Sequence, residues 1–350
     1  MSTNKSASPG ELKRYYGITL DPLHVGAGSS RLGRVDLPII REPGTNLPKV
    51  PGTSLSGSAR AYTALANNRY RWVDNGVEYW CAGSGGTGGE KHCGKIACPV
   101  CIPYGFSKGS GNSMQGLAQF FDAHILFFPV ASMIGPVWVT SPSALQVLEF
   151  ENDITDDPVD GYYSLGEKIK NRQDKRLNFG WLMLPRSEGE ATEQVKNIIN
   201  EKTVLPETIK KNSVLVSDKL FSLIVNNNLE VRTSVSIDPA TGAAEDKALF
   251  TFEALPRSTV LVFDIHYNSG QSYRINNESL KTGKGQEVDC SWVKEHVEKG
   301  LKLFATLGIG GMNTRGMGRL KVLNLEIEDK KGGGGGEEHA GGSEPGAGMR

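Results

Sequence analysis

The 350-residue sequence has no long apolar run, and none approaches the roughly eighteen residues that a membrane span requires. Its first residues, MSTNKSASPGELKRYYG, include no apolar stretch of the kind that a secretory signal contains. Cysteine is scarce: the chain has five, and an odd number without an export signal argues against a disulfide framework. We therefore expect a cytoplasmic protein without a membrane partner.

An excess of charge of one sign is also absent, because 39 Lys and Arg residues balance 39 Asp and Glu residues. Net charge therefore neither favours nor excludes a polyanionic partner. The distribution is more informative: residues 1–60 carry eight Lys or Arg against four Asp or Glu, whereas residues 151–160 carry five acidic residues and no basic one. This asymmetry suits a protein with one surface that faces nucleic acid, although solvated charged faces also occur in unrelated proteins.

Hydrophobic periodicity predicts a strand–helix pattern near the start of the chain and a strand–helix–strand pattern near its end. The predicted segments are, in chain order, a strand in 15–25, a helix from Thr53 to about Asn67, two strands in 123–140, helices in 141–150 and 217–227, a strand over 258–267, a helix over 291–308 and a strand over 319–328. This order predicts an α+β fold with a ferredoxin-like core, similar to an RNA recognition motif (RRM-like), with large insertions and with helices on one face of the sheet. Such a sheet is a natural platform for RNA.

Glycine and proline divide the chain further. Residues 31–52 are rich in both and predict an irregular but ordered loop, and loops of this length are usually functional. Residues 82–91 should be flexible, and residues 329–350 contain too few apolar side chains to fold. We expect residues 1–328 to form a single elaborated domain, with an insertion over about 68–115 and a disordered tail.

The segment GIGGMNTRGMGR lies between a predicted helix and the last strand. It contains five glycines: Gly308, Gly310, Gly311, Gly316 and Gly318. Glycine permits positive φ and leaves backbone N–H groups uncovered, so this loop can lie against a phosphodiester chain, with Arg315 and Arg319 supplying charge. The alternative is a loop that only needs several tight turns, because short glycine-rich patterns recur by chance.

A second motif, VPGTSLSGSAR, places a turn at Pro51 and Gly52 before a predicted helix. Thr53 or Ser54 can cap this helix, and its free N–H groups with the serine hydroxyls form an anion site that suits phosphate. Arg60 follows two turns later. An ordinary capped helix explains the same serines.

Together, the two motifs resemble the paired signatures of the RAMP superfamily of CRISPR proteins. The matching residues are Gly52, Ser54, Leu55, Gly57 and Arg60 in the early motif and Gly310, Gly311, Thr314, Gly316 and Gly318 in the late one. The resemblance covers most of residues 15–325 and continues through GLAQFFDAHILFFPVASMIGPVWVTSP and EVRTSVSIDPATG. The string of matches is similar to the backbone ribonuclease subunits of Cmr (type III-B) effector complexes.

The resemblance implies a subunit that stacks head to tail in several copies along a crRNA guide, beside other Cmr-type effector subunits, and that meets a complementary target RNA. The implied RNA-binding residues are Gly52, Ser54, Ser56, Arg60, Gly310, Gly311, Thr314, Arg315, Gly316, Gly318 and Arg319. It also implies a β-hairpin thumb over about 229–256 that separates a base pair of the guide–target duplex. The sequence departs from the family pattern at Ser56, where lysine is common, and at residues 252–254, where a Glu-Glu-Tyr run is common.

The resemblance further places the target-cleaving aspartate at Asp36, with His24 as an assistant and a divalent cation (Mg or Mn) as cofactor. RNA can be cut by its own 2′-hydroxyl when the backbone is held in line, and a nearby carboxylate can bind a cation or remove the hydroxyl proton. Spacing alone selects neither residue, because a lone aspartate in a loop usually caps a turn and a lone histidine often packs in a core.

Four of the five cysteines lie close together in the sequence. Cys98 and Cys101 form a C-x-x-C pair and Cys93 precedes it, so a tetrahedral zinc site needs one more ligand, either Cys81 or His92. A structural zinc ion would hold an insertion that is too small to hold itself. Free, reduced cysteines are the alternative.

The leading hypothesis is a guide-binding subunit that is also a metal-dependent endoribonuclease and cuts the paired target RNA at regular intervals. Three alternatives remain: a backbone subunit of the Csm (type III-A) complex, an RNA-binding scaffold without activity, and a zinc-stabilised RNA-binding module unrelated to CRISPR.

Overall fold

A computed structural model describes residues 10–28, 35–83, 88–108, 112–149, 152–201, 203–235, 237–243 and 249–325. Within these ranges, no helix is both long and apolar enough to cross a membrane. The predicted tail at 329–350 and the centre of the glycine-rich stretch at 82–91 lie outside the described residues.

Strands and helices are interspersed along the described chain. The strands are β1 (Gly10–Thr19), β2 (Lys49–Val50), β3 (Trp72–Asp74), β4 (Val77–Tyr79), β5 (Phe106–Ser107), β6 (Ser113–Met114), β7 (Ala118–Phe120), β8 (Ala123–Ser132), β9 (Gly135–Thr140), β10 (Tyr162–Ser164), β11 (Arg176–Phe179), β12 (Leu182–Pro185), β13 (Ser213–Val216), β14 (Glu230–Ser234), β15 (Phe250–Ala254), β16 (Val260–Asn268), β17 (Arg274–Ile275), β18 (Glu278–Ser279) and β19 (Leu320–Val322). The α-helices are α1 (Gly52–Ala66), α2 (Cys101–Tyr104), α3 (Pro142–Gln146), α4 (Glu167–Lys170), α5 (Glu193–Glu201), α6 (Glu207–Lys211), α7 (Asp218–Asn227), α8 (Cys290–Lys302) and α9 (Phe304–Leu307). The chain therefore has the mixed α/β composition that the periodicity predicts.

The largest sheet is built on the order β10-β13-β9-β8-β16-β1-β19, with β2 also paired to β8 and β7 to β16. Among its central strands β8, β16, β1 and β19, each strand is antiparallel to its immediate neighbour. In chain order, α1 lies between β1 and β8, and α8 lies between β16 and β19. Strands β14 and β15 pair as a separate two-stranded hairpin that leaves this sheet.

Both faces of the sheet are covered at its centre. On β1, Tyr15 packs in one core cluster with Leu55 of α1, whereas the adjacent Tyr16 packs in a second cluster with Val195 of α5. Four consecutive residues of β8, 125–128, are buried, as expected for a strand that is covered on both sides. The prediction of helices on one face is therefore wrong, because α3, α5 and α6 cover the second face. In the described part of the chain, this face is consequently not the open platform of an RRM-like sheet.

Several predicted bounds differ from the structure. β1 ends at Thr19 rather than near residue 25, because Asp21 and Pro22 begin an irregular segment. The predicted helix over 291–308 is divided into α8 and α9. The two strands in 123–140 and the helix after Pro51 are confirmed.

Helices α1 and α8 cross at very short range. A Cβ atom at Gly300 of α8 would lie 2.6 Å from the carbonyl oxygen of Ala59 and 2.4 Å from Oγ1 of Thr63, both in α1. Only glycine fits this crossing without moving one helix. The crossing matters for function because it fixes α1, whose first turn carries one of the two sequence motifs.

Replacing Gly300 by alanine should lower the free energy of unfolding by about 1–3 kcal/mol, because the added methyl group overpacks the crossing. Gly57→Ala is the matched control: Gly57 lies on the exposed side of α1, and a Cβ there meets no atom within 4 Å. Alanine should stabilise that helix position by about 0.5–1 kcal/mol. Urea unfolding of both variants tests this, and equal midpoints would contradict the proposed crossing.

Candidate nucleic-acid interface and metal centre

Asp36 lies in the loop between β1 and β2, and this loop runs beside β15. The Leu37 N–H donates to the Thr251 carbonyl at 3.0 Å, and the Glu253 N–H donates to the Leu37 carbonyl at 3.1 Å. Oδ2 of Asp36 accepts hydrogen bonds from the Thr251 N–H at 2.7 Å and from its hydroxyl at 2.9 Å. These bonds lower the pKa of the exposed Asp36 carboxyl, so the carboxylate is ionised at neutral pH.

His24 meets the same strand two residues farther along. Its Nδ1 lies 2.6 Å from the Glu253 carbonyl oxygen, which can only accept, so Nδ1 carries the proton. The buried ring packs edge-on against Phe252 with 5.9 Å between ring centroids. Because strands rise about 3.3 Å per residue, the contacts of Asp36 and His24 on β15 are separated by about 7 Å.

The Glu253 side chain holds the loop that carries Asp36. Its Oε2 pairs with Arg41 at 2.9 Å and accepts from the Ile39 N–H at 3.3 Å. Arg41 also donates through Nε to Oδ1 of Asn226, at the end of α7, at 3.1 Å. The carboxylate of Glu253 therefore makes structural contacts within the protein and does not face only solvent.

The glycine-rich loop packs closely against the segment around His24. Gly310 has φ +77°, and a Cβ there would lie 2.4 Å from the His24 carbonyl oxygen, which accepts the Gly311 N–H at 2.8 Å. Gly318 has φ +91° and donates its N–H to the Pro22 carbonyl at 2.9 Å. The N–H groups of Gly311 and Gly318 are thus hydrogen-bonded within the protein. A Cβ atom added at Gly316 would meet no atom within 4 Å.

The tip of this loop is exposed and touches the β14–β15 hairpin. Thr314 and Arg315 lie in a 3-10 turn at residues 313–315 and are both exposed. Arg315 donates to the hydroxyl of Ser234 at 3.3 Å, and its guanidinium lies 5.9 Å from the ring centroid of Phe250. Arg315 therefore contacts both strands of the hairpin.

Arg319 forms a two-point ion pair with Asp21, with bonds of 2.5 Å and 3.0 Å. The pairing lowers the pKa of the Asp21 carboxyl, so its negative charge persists well into the acidic range. Half of the Arg319 side chain remains exposed. The predicted positive charge is present at this position, but a carboxylate already accompanies it.

The start of α1 differs from its prediction. Neither Thr53 nor Ser54 caps the helix; instead the Gly52 N–H donates to Oδ1 of Asp122 at 2.8 Å, and Asp122 pairs with Lys49 at 2.6 Å. The predicted side-chain cap is therefore wrong, because a carboxylate from the segment before β8 occupies that position. Ser54 and Ser56, predicted to contact RNA, are partly exposed on the first turns of α1.

Arg60, also predicted to contact RNA, instead faces the cysteine-containing insertion. It donates to the carbonyls of Cys81 at 2.8 Å and Tyr104 at 3.4 Å, and it lies 3.0 Å from Nε2 of His92. This arrangement attaches α1 to the insertion. His92 is thereby directed to Arg60 and stands outside the cysteine cluster.

The four cysteines of the insertion converge. The sulfur atoms of Cys81, Cys93, Cys98 and Cys101 all lie within 4.8 Å of one another, and all four residues are buried. The closest distances are 3.7 Å between Cys93 and Cys101 and 3.8 Å between Cys81 and Cys98, far longer than the roughly 2.05 Å of a disulfide. Tetrahedral zinc with Zn–S bonds of about 2.3 Å places its sulfur atoms about 3.8 Å apart, so this set has the dimensions of a zinc site.

Outer contacts orient the sulfur atoms. The Cys101 N–H donates to Sγ of Cys98 at 3.3 Å, and the indole N–H of Trp72 donates to Sγ of Cys81 at 3.4 Å. Hydrogen bonds from the neighbouring thiols, that of Cys101 foremost, lower the pKa of Cys81. Among the described residues, no second group of three or more His, Cys, Asp or Glu side chains lies close enough to hold a metal.

Two residues of the site were not found by sequence reasoning. Thr251 fixes the Asp36 carboxylate and Asp122 caps α1, yet each lies far from its partner in the chain. A single threonine in a predicted strand and a single aspartate before one carry no local signal.

Comparison with known proteins places this geometry in a family. A sequence model of the RAMP superfamily matches residues 18–321. The chain is 27% identical over 330 residues to the CRISPR system Cmr endoribonuclease Cmr4 of Pyrococcus furiosus, covering 90% of this chain and 96% of that protein. It is 36% identical over 93 residues to the CRISPR system Cms endoribonuclease Csm3 of Methanothermobacter thermautotrophicus, covering 26% of this chain and 31% of that one.

Solved structures show the same fold. A chain in the cryo-EM structure of type III-B Cmr-beta bound to cognate target RNA aligns with a TM-score of 0.56 at 14% identity, covering 89% of this chain and 96% of that one. Because the family match spans most of the described chain and includes both motifs, this chain belongs to the RAMP superfamily.

Proposed function

We propose that this chain is a backbone subunit of a type III-B CRISPR (Cmr) effector complex that binds crRNA and cleaves complementary target RNA. The observation that carries the proposal is the exposed, ionised carboxylate of Asp36, which Thr251 of β15 holds in place beside the β14–β15 hairpin. The similarity to the Cmr endoribonuclease over nearly the full length of both chains supports the same activity.

In the proposed reaction, Asp36 removes the proton from a target 2′-hydroxyl, directly or through water. The 2′-oxygen attacks the adjacent phosphorus, the bond to the 5′-oxygen breaks, and a proton from solvent reaches that leaving oxygen. The products are a 2′,3′-cyclic phosphate and a 5′-hydroxyl. His24, which is buried and bonded to Glu253, acts by positioning the β15 segment rather than by contacting RNA.

A divalent cation fits this site. The described residues offer one exposed carboxylate here rather than a cluster of acids. Magnesium is commonly held by one or two carboxylates together with waters and substrate phosphates, so Asp36 and the RNA can share it. A bound cation would stabilise the charge that develops on the phosphate. The nature of the ligand set, one carboxylate oxygen and phosphate oxygens, suits Mg or Mn.

Guide contacts are proposed for the exposed parts of the two motifs. These parts are the first turns of α1 at Ser54 and Ser56, and the loop around Gly310, Gly311, Thr314, Arg315, Gly316 and Arg319, whereas Gly52 is buried and supports the start of α1. Gly318 supports the loop from inside, and Arg60 supports the insertion. The β14–β15 hairpin is proposed as the thumb, since it leaves the main sheet beside Asp36.

Architecture supports this assignment. We infer that β1, α1, β8, β16, α8 and β19 form a ferredoxin-like core, because the strand order β19-β1-β16-β8 and the two intervening helices match that topology. We also propose that residues 1–328 form one elaborated domain. Several copies would bind the guide head to tail through a repeated heterologous interface.

Two other candidates have support of their own. A Csm-type backbone subunit is favoured by the match to Csm3, but that match covers about a quarter of the chain, whereas the Cmr match covers 90%. An RNA-binding scaffold without activity would use the same proposed guide contacts, and it would differ only in having no cleavage chemistry at Asp36.

We further propose that Cys81, Cys93, Cys98 and Cys101 bind one structural zinc ion. The buried sulfur atoms, their spacing and the N–H donors around them fit a closed four-sulfur site. Cys81 rather than His92 supplies the fourth ligand in this proposal.

Asp36→Asn should reduce target cleavage by about 100-fold or more while leaving guide and target binding intact, because the amide can still accept from Thr251 but cannot act as a base. Asp218→Asn is the matched control, since exposed Asp218 likewise accepts from a backbone N–H and a hydroxyl, those of Ser143. The assay is cleavage of labelled target RNA by the assembled complex, with and without a chelator. If the Asp36→Asn complex cuts at the wild-type rate, the cutting belongs to another residue or subunit, and the scaffold alternative is favoured for this chain.

Purified protein should contain one zinc ion per chain, measured by elemental analysis. Cys98→Ser should lose the zinc and lower the melting temperature, because the insertion depends on the metal. Cys290→Ser removes the cysteine outside the cluster and should keep the full equivalent. A wild-type content below about a tenth of an equivalent would refute the site, since a structural zinc normally stays bound through purification.

Guide binding should weaken steeply with salt and depend little on base sequence, because the proposed contacts are to phosphates. Arg315→Gln should reduce the slope of log affinity against log salt by about 0.7, the value for one phosphate contact on a single strand. Lys299→Gln is the control, since Lys299 pairs with Glu295 on α8. Equal slopes for wild type and Arg315→Gln would remove Arg315 from the interface.

A further inference from the structure

The hairpin formed by β11 and β12 ends in an unusually exposed tryptophan. Trp181 is 68% exposed at the tip, between Gly180 and β12. Large aromatic side chains are normally largely buried in proteins, so an exposed one indicates a binding surface only when neighbouring features support it.

The tip is held rigidly. The Gly180 N–H donates to the Ala131 carbonyl at 2.9 Å, and Oδ1 of Asn178 accepts from the Met133 N–H at 2.6 Å. The Asn178 side-chain amide also donates to the Gly180 carbonyl at 2.9 Å. These bonds fix the backbone of the tip on the β8–β9 turn, so Trp181 is presented to solvent from a fixed base.

The tip also lies against the root of the proposed thumb. A Cβ at Gly180 would lie 2.2 Å from Oδ1 of Asn228, which is two residues before β14. Asn226, in the same segment, bonds to Arg41 of the Asp36 loop. Trp181 is therefore close to the segment that connects α7, the thumb and the loop that carries Asp36.

Positive charge accompanies the tryptophan. Residues 172–186 include four Lys or Arg and one acidic residue. Lys175 and Arg176 are exposed at the base of the hairpin, and no described residue forms an ion pair with either. Aromatic side chains interleaved with free cations are typical of single-stranded nucleic-acid surfaces, where bases stack on rings and phosphates meet cations.

We propose that the β11–β12 hairpin is a second RNA-contacting element, in which Trp181 stacks on a base of bound RNA and Lys175 and Arg176 bind its phosphates. Stacking tolerates any base, because every base has a flat π face, so this contact adds affinity without sequence preference. The inference rests on the proposed function, which supplies RNA as the ligand. A protein partner is the competing occupant, because Met133 and Met183 are also exposed near the tip, but it would leave Lys175 and Arg176, which form no ion pair with any described residue, without a role.

The test measures binding of a labelled, mixed-sequence single-stranded RNA to the full chain at several salt concentrations. Trp181→Ala should weaken binding about 5- to 100-fold at every salt concentration, and Trp181→Phe should restore most of the loss, because phenylalanine can also stack. Trp181→Leu, apolar but not aromatic, should behave like alanine. Arg176→Gln should instead reduce the salt slope by about 0.7.

Val159→Ala, at another highly exposed apolar position, should bind like wild type, and unchanged melting temperatures would confirm that each variant folds. If wild-type protein binds RNA and the Trp181 variants bind equally well, the inference is wrong and the proposed function stands. If wild-type protein binds no RNA, both are wrong. If Trp181→Ala abolishes self-association in sedimentation experiments but leaves RNA affinity unchanged, the tip is a protein contact and the inference is overturned.

Discussion

Strand β15 is the element on which the candidate site depends. One of its edges pairs with β14, and its backbone also bonds to Leu37, while Leu255, the residue after β15, bonds to Leu23. Leu23 and Leu37 both lie in the loop between β1 and β2, more than 200 residues away in the chain. The β15 side chains at Thr251 and Glu253 hold Asp36 and Arg41. A long loop positions a carboxylate more precisely when a strand bonds to it, and β15 supplies this rigidity to the loop that carries Asp36, as the proposed in-line cleavage requires.

The two-sided burial of the main sheet constrains the RNA-binding surface proposed above. In an RRM-like protein, the open sheet face stacks bases, but here α3, α5 and α6 cover that face. The proposed nucleic-acid contacts therefore lie at the rim of the sheet: the start of α1, the glycine-rich loop and the hairpins. In this proposal, the rim elements contact phosphates and occasional bases, as a subunit that accepts a guide of any sequence requires.

Hydrophobic periodicity was sufficient to predict the long strands and helices of the fold, but it was insufficient to predict the contacts of the candidate site. Long elements such as β8 and α1 carry strong patterns, so their positions could be predicted. The contacts of Asp36 with Thr251 join residues 215 positions apart, and no local pattern reports such a pairing. The sequence likewise leaves Cys81 and His92 as alternative fourth ligands of the proposed zinc site. Only the structure shows that His92 faces Arg60, outside the cysteine cluster, whereas Cys81 lies within it.

Arg60 and Arg319 are both predicted from the motifs to contact RNA, but they differ in burial. Arg60 bonds to two carbonyls and a histidine in a partly buried setting, and withdrawing it would cost about 1–3 kcal/mol for each buried acceptor left unpaired. Arg319 pairs with Asp21 at the surface, where water and salt screen ion pairs so that they contribute little. Under the proposed function, a phosphate would therefore replace Asp21 as the partner of Arg319 more easily than it would displace the partners of Arg60. These contacts assign Arg60 to the scaffold that positions α1 and keep Arg319 among the proposed phosphate contacts.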